Sequence, residues 1–407
     1  MGVEFKCVSA VLLSLLLCLC LAQSVLAGEL ETVVELTQLN PISEQDLGLN
    51  AAEIDPSGNV VLVAGEDGYV HIIDAEDPGN RQKDVTLYSE RSETLQDISW
   101  HNQGKTALLV GDDGIVLRYA TSDQTVTRIQ GSGVLELMDM TAVQWRANGD
   151  YAYMGGNSSN LYRYSNSDGF VLLDSTKDSY VEDIACHIQH LLCIVVTRNQ
   201  GVAVIDNSHQ VHWVSNTDSN IWLSVSCPYS TSLECVLVAS GKRFSKLLLN
   251  IEAPATSQIS SAEIIQKDNG EIIGINRLDD GSNIFKFSPY ALASYNLIDN
   301  IPLSMLGHKD VEEYPDLAGD SIATVWGSDI HNGYIISTSG NIGQYEPLIE
   351  DQEMNMVMLA ITVMVAISVP GLLLGMIYMN SKTVQRWYHR NITLRWRNLK
   401  NNFKKSD

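Results

Sequence analysis

From Leu49 onward, apolar and polar residues alternate in short runs broken by Gly, Asn and Asp, and the runs recur in a fixed order. The recurrence is plainest in AAEIDPSGNVVLVAGEDGYVHIIDAED from Ala51, LQDISWHNQGKTALLVGDDGIVLRYATSD from Leu95 and MTAVQWRANGDYAYMGGNSSNLYRYSNSD from Met140. In each, an alternating strand ends in a polar turn containing Gly, and a more apolar strand comes next. A second Gly or Asn turn then leads to a third strand that runs out near an Asp. Weaker copies begin at Val181, Trp222, Ile272 and Ser321, which makes seven.

Equivalent second turns at Gly65, Gly111, Gly155, Thr197 and Ser240 stand 42 to 46 residues apart. That is the period of four-stranded propeller blades. Solenoids of paired helices share the period, but no segment here carries an apolar stripe at helical spacing. The stretches DVTLY, TVTRI, GFVLL and VHWVS fit between copies as a fourth strand. The fold class expected is therefore all-β, a seven-bladed β-propeller over residues 28–348. The seventh copy lacks a fourth strand, and the stretch from Glu31 to Leu39 is strand-like without a blade of its own. It is expected to supply that strand and close the ring, removing two exposed sheet edges.

Two apolar runs lie outside the repeats. Residues 1–27 carry Lys6 and an apolar core too short for a comfortable span. They end on Val25-Leu26-Ala27 and read as a signal peptide, with Gly28 the first mature residue. Residues 356–379 contain no charge and are long enough to cross ~30 Å of hydrocarbon, so they read as one C-terminal transmembrane α-helix. An acidic linker, 349–355, precedes the span, and a basic tail, 380–407, succeeds it. Positive charge stays inside, which gives a single-pass type I arrangement at the plasma membrane with the ectodomain outside.

Charge sharpens the partner classes. The whole chain carries −23, while eight basic residues from Ser381 onward face only Asp407, which leaves the rest of the chain at −30. An ectodomain so acidic excludes nucleic acid and anionic lipid as ligands and suits a basic extracytoplasmic protein partner or plain solubility.

The residues DPSGNVVLVAGEDGYVHIID at 55–74 and HNQGKTALLVGDDGIVLRY at 101–119 resemble the WD-repeat and YVTN-like family of β-propellers. The resemblance covers nearly all of the ectodomain and implies fold, not activity. It is similar to the divergent, extracytoplasmic, membrane-anchored propellers of archaeal genomes. No copy has the Gly-His start or Trp-Asp end of a strict WD repeat.

Candidate sites are few. Glu66-Asp67-Gly68 and Asp112-Asp113-Gly114 pair acids at one turn in successive blades. A hairpin wants Asp-Gly for positive φ whether or not calcium binds, and the spacing of a twelve-residue calcium loop is absent. Four cysteines remain after the signal peptide: Cys186 and Cys193 flank one hairpin turn, Cys227 and Cys235 the next. Disulfides within each pair are expected, a metal site being the rival, with His187 and His190 between the first pair expected to face solvent. Asn157 begins a glycosylation sequon in an exterior turn. Gly371 and Gly375 form a GxxxG pair that would permit homodimerisation through the membrane helix. In the tail, Lys382, Arg386, Trp387, Arg390, Arg395, Trp396 and Arg397 belong to an amphipathic basic helix expected to lie on the inner leaflet.

No catalytic or phosphate-cradling motif occurs, and neither a cofactor nor a metal is expected. The reading is a non-catalytic cell-surface propeller serving as a protein-interaction or envelope-assembly scaffold. The alternative is an exported enzyme or cofactor-binding propeller with its site in the central channel, since propeller enzymes draw their few acids from different blades.

Overall fold

The computed structural model describes residues 34–157, 160–175, 179–227, 232–265, 270–297, 300–348, 364, 368, 372 and 375–393. Within them, residues 34–348 form seven antiparallel sheets, each with one inner strand, a second, a third and an outer strand. The inner strands are Leu49–Ile54, Leu95–Trp100, Met140–Trp145, Val181–Cys186, Trp222–Ser226, Glu271–Arg277 and Ile322–Asp329. Each packs against the next, and the seventh packs against the first, so the sheets form a ring. The fourth strands fall where the sequence places them, at Val85–Leu87, Thr125–Arg128, Gly169–Ser175 and Val211–Trp213.

Ring closure takes the expected route. Val34–Gln38 pairs antiparallel with Ile342–Pro347, the third strand of blade seven, and becomes its outer strand. Val34 and Leu36 are buried on the blade-six side, with Val311, Leu317 and Tyr345. Between blades six and seven, two one-turn helices, His308–Val311 and Pro315–Ala318, buttress this strand, and the Tyr314 hydroxyl donates to the carbonyl of Leu36 at 2.8 Å. Helices this short show no period that a sequence could display, which is why the pattern predicts only strands there.

One device recurs in all seven inner strands. The ladder to the second strand shifts register near its start, after the first paired position in six blades and after the second in blade six: Leu49/Ala51, Leu95/Asp97, Met140/Ala142, Val181/Asp183, Trp222/Ser224, Ile272/Gly274 and Ile322/Thr324. A bulge leaves one residue unpaired, bends the strand and re-aims the side chains beyond it. The residue after each bulge is Ala, Asp, Ser, Gly or Thr, small enough for seven strands to converge on one axis.

The cores are the gaps between blades. Trp100, Tyr119, Leu62 and Ile72 fill the first gap, and Phe244, Phe285 and Tyr295 fill the fifth. The described residues beyond 348 belong to a second unit. No helix among the described residues is long and apolar enough to cross a membrane. Most of the expected span 356–379 lies outside those residues, as does the expected signal peptide.

Candidate functional site

Polar side chains bond every blade to the next, and the charged ones gather at the axis. Glu53 of blade one accepts the Trp100 N–H at 2.9 Å, and the Trp100 indole N–H donates back to the Glu53 carbonyl at 3.1 Å. Asp97 of blade two accepts the Val143 N–H at 2.7 Å, and Ser99 accepts the Trp145 N–H at 3.0 Å. The Thr141 hydroxyl of blade three donates to the Val181 carbonyl. Asp183 of blade four accepts the Val225 N–H at 2.9 Å and the Ser224 hydroxyl at 2.6 Å. Ser226 bonds Asn283 at 2.7 Å, the Asn276 amide donates to Thr324 at 3.0 Å, and Lys286 donates to the Ala323 carbonyl at 2.7 Å. Blade seven returns to blade one through the Trp326 indole N–H on the Ala75 carbonyl at 3.1 Å.

Four of these groups are ionisable and stand where charge is disfavoured. Each is half-buried and bonded to the neighbouring blade. Removal from bulk water pushes Glu53 up to about 8, with the neighbouring Asp97 adding to the effect. Burial likewise pushes Asp97 up to about 8 against the bond from Val143, and it raises Asp183. Lys286 is brought down to about 8 by burial, which outweighs the attraction of Asp183 and Asp97. Three carboxyls and one ammonium thus share the axis, and each has its own bond to the frame.

Glu53, Asp183, Trp100, Trp145, Asn276 and Arg277 are among the residues lining a cavity of about 570 Å³ at one end of the channel. The Trp145 indole N–H, though buried, meets no hydrogen-bond partner among the described residues. This is the end where inner and second strands join, so both disulfides sit here. Cys186 and Cys193 are register partners with Cα atoms 4.0 Å apart, and Cys227 and Cys235 are linked at 4.4 Å. The expected pairing is the one observed. His187 departs from expectation: it is buried, and its Nε2 lies 2.8 Å from the Ser232 carbonyl, tying blade four to blade five. His101 makes the matching link to the Gly149 carbonyl at 3.0 Å, so these histidines act as inter-blade ties.

The paired acids at the opposite end form the turns the sequence implies. Asp67 and Gly68 have φ of 52° and 65°, and Asp113 and Gly114 have 52° and 66°. A Cβ at Gly68 would lie 2.3 Å from the Arg91 carbonyl oxygen, so glycine is required twice over. Among the described residues no group of three or more His, Cys, Asp or Glu is placed to hold a metal ion.

A hydroxyl, an imidazole and a carboxylate line up on blade one, with Thr86 Oγ1 3.2 Å from His71 Nδ1 and Asp84 3.0 Å from His71 Nε2. Asp84 also pairs with Arg81 at 3.0 Å, and the set fastens residues 81–86 across the third strand of the blade. Asn157 exchanges bonds with Asp139, its amide donating to the carboxylate and its oxygen accepting the Asp139 N–H at 3.0 Å. In the tail, Ser381 caps a helix at Lys382–Tyr388 that continues as a π-turn to Thr393, placing Lys382, Arg386, Trp387 and Arg390 on it with Trp387 exposed. Arg395, Trp396, Arg397 and Gly371 lie outside the described residues, and a Cβ on Gly375 would meet open space.

The fold has solved counterparts. The chain is similar to the β-propeller domain of Cps50 (Swd1) from Myceliophteria thermophila, at 13% identity, TM-score 0.61, covering 76% of this chain and 99% of that one. It is similar to the same degree to virginiamycin B lyase from Staphylococcus aureus, at 11% identity, TM-score 0.61, covering 77% and 100%. No family model matches the chain, and no curated protein matches it. At these identities the likeness defines the fold, a seven-bladed β-propeller.

Proposed function

We propose that this protein is a non-catalytic β-propeller held at the cell surface by one membrane helix, serving as a binding scaffold for an extracytoplasmic protein partner. The observation that carries the reading is where the axial charges go. Glu53, Asp97, Asp183 and Lys286 each bond the backbone of the following blade, so the groups best suited to chemistry act as ties between blades. Recognition is then left to the loops at the ends of the ring. Anchoring rests on the uncharged run 356–379 and the basic residues after it. The test is crosslinking of the full-length chain in intact membranes, then extraction in mild detergent. A partner of fixed stoichiometry supports the reading, and a chain that crosslinks only within itself refutes it. Protease protection in sealed vesicles checks the orientation.

A second reading, a small molecule held in the channel mouth, is favoured by one feature: the buried Trp145 indole N–H, without a partner among the described residues, lines the same 570 Å³ cavity as Asp183. Native mass spectrometry of the purified chain decides it. A bound mass that Trp145→Phe removes would favour this reading over the first.

A further inference from the structure

The antiparallel ladder places two sets of connections at the end of the ring opposite the disulfides: the turns between second and third strands, and the links from each outer strand to the next blade. Over blades one and two these are residues 39–48, 66–68, 88–94, 112–114 and 129–139. They hold ten Asp or Glu residues against one base, Arg91. Among them stand the two most exposed large apolar side chains described in the propeller, Leu137 at 89% and Tyr88 at 83%, with Val134 at 57% on the same link as Leu137.

A single exposed leucine is ordinary on a soluble surface. Three bulky apolar groups on two successive links, each link fixed to the turn beside it, are a different matter. The Gly114 N–H donates to the Met138 carbonyl at 2.6 Å and the Asp113 N–H to the Asp139 carboxylate at 3.2 Å, which holds the link bearing Leu137. The Ser89 hydroxyl donates to the Gly68 carbonyl at 2.8 Å, beside Tyr88. These bonds tether the two links to their turns before any partner arrives, which lowers the ordering entropy that opposes docking.

We infer that this sector of blades one and two is the docking surface, and that its occupant is a protein segment bearing Lys or Arg around one or two apolar side chains. The inference rests on the partner-binding reading above and names the partner's chemistry. Apolar anchors would seat on Tyr88 and Leu137 while cations meet Glu66, Asp67, Asp112 and Glu136. The same field repels nucleic acid and anionic lipid, and it opposes a second copy of this chain using the same face.

The test uses the full-length chain in a non-ionic detergent. The probes are a short amphipathic Leu/Lys peptide and its Leu/Glu counterpart, read by fluorescence anisotropy. The Leu/Lys probe should bind, should weaken as salt rises from about 0.1 M to about 1 M, and should lose about tenfold in affinity, the loss of one good anchor, with Tyr88→Ser/Leu137→Ser. Glu136→Lys should weaken it further. All these side chains are exposed, and an unchanged melting curve for each variant confirms that the frame is intact. The assignment is overturned if the Leu/Glu probe binds equally, if neither probe binds, or if the Leu/Lys probe binds the variants as well as the parent. In each of these cases a partner crosslinked in membranes would still support the scaffold reading and place its surface elsewhere on the ring.

Discussion

Gly274 stands directly across the ladder from Lys286, and a Cβ at Gly274 would sit 3.2 Å from Lys286 Cε and 3.7 Å from Nζ. The absent side chain is the passage through which a lysine of the second strand reaches the axis. There it faces Asp97 and Asp183, which come from inner strands.

Filling that passage should therefore cost more than a local clash. Gly274→Val overpacks the gap, a change that typically costs about 1–3 kcal/mol, and displaces the Lys286 ammonium from Asp97 and Asp183. Lys286→Met should also destabilise, by removing the bond to the Ala323 carbonyl that ties blade six to blade seven. Urea unfolding of the two single variants and the double variant measures the coupling. If Gly274→Val unfolds at the parent's midpoint, the passage has no energetic role.

The axial carboxyls give the stability a defined pH dependence. Glu53 and Asp97 titrate near 8 in the fold, while their ordinary values are 4.5 and 3.8. Between those limits the folded chain holds protons that the unfolded chain has released, so stability falls as pH rises toward 8. Lys286 works in the other direction, from about 8 in the fold to its ordinary 10.5, and returns some stability above pH 8. The general negative charge of the chain also penalises high pH, so the informative quantity is a difference. Asp97→Asn should flatten the slope of the denaturation midpoint between about pH 5 and pH 8 relative to the parent. An identical slope in both chains would remove Asp97 from the account.

Blade count, strand order and the borrowed closing strand are all legible in the sequence, because alternation and turn residues are local signals that repeat seven times. The axial site is not. Asp97 and Asp183 occupy the position after the bulge in blades two and four, but the equivalent residues are Ala51, Ala142, Ser224, Gly274 and Thr324, so no repeated motif marks the place. Aligning the copies on the bulge sets the two acids in register. Lys286 escapes even then, since it belongs to a second strand and reaches the axis only because Gly274 is opposite. His187 defeats the sequence pattern for a related reason: a hairpin turn looks exposed in one blade and is buried once the next blade packs on it.

Closure by the N-terminal strand should be cooperative. Leu36 is buried, and its carbonyl anchors Tyr314 from the link between blades six and seven. Leu36→Asp would bury a carboxylate without a partner in place of apolar packing and should cost about 3 kcal/mol or more. Deletion of Glu31–Leu39 should lower the melting temperature of the whole ring in a single transition. A separate early transition for blade seven alone would refute cooperative closure.

The disulfides close short loops, with sequence separations of 7 and 8. By loop entropy each contributes roughly 2–3 kcal/mol, so reduction should lower the unfolding midpoint without opening the ring. Single Cys→Ser variants at Cys193 and Cys235, compared by urea unfolding with the oxidised parent, measure the two contributions separately. A parent-like midpoint in either would show that its bridge adds no stability.

The tail offers a test that does not depend on the propeller. Ser381 caps the helix that begins at Lys382, and Trp387 and Tyr388 are exposed on it beside Arg386 and Arg390. Such a surface is poorly suited to water alone. Indole and phenol rings favour the headgroup layer, and each nearby basic residue gains about 1 kcal/mol at an anionic surface. A synthetic peptide of residues 381–407 should therefore gain helicity on vesicles containing anionic lipid, and its tryptophan emission should shift to the blue. On purely zwitterionic vesicles both changes should be much smaller. Added salt should weaken the electrostatic part, since screening acts within about 8 Å at physiological strength, while aromatic burial keeps some peptide bound. If anionic vesicles produce neither helicity nor a blue shift, the surface-helix reading of the tail fails.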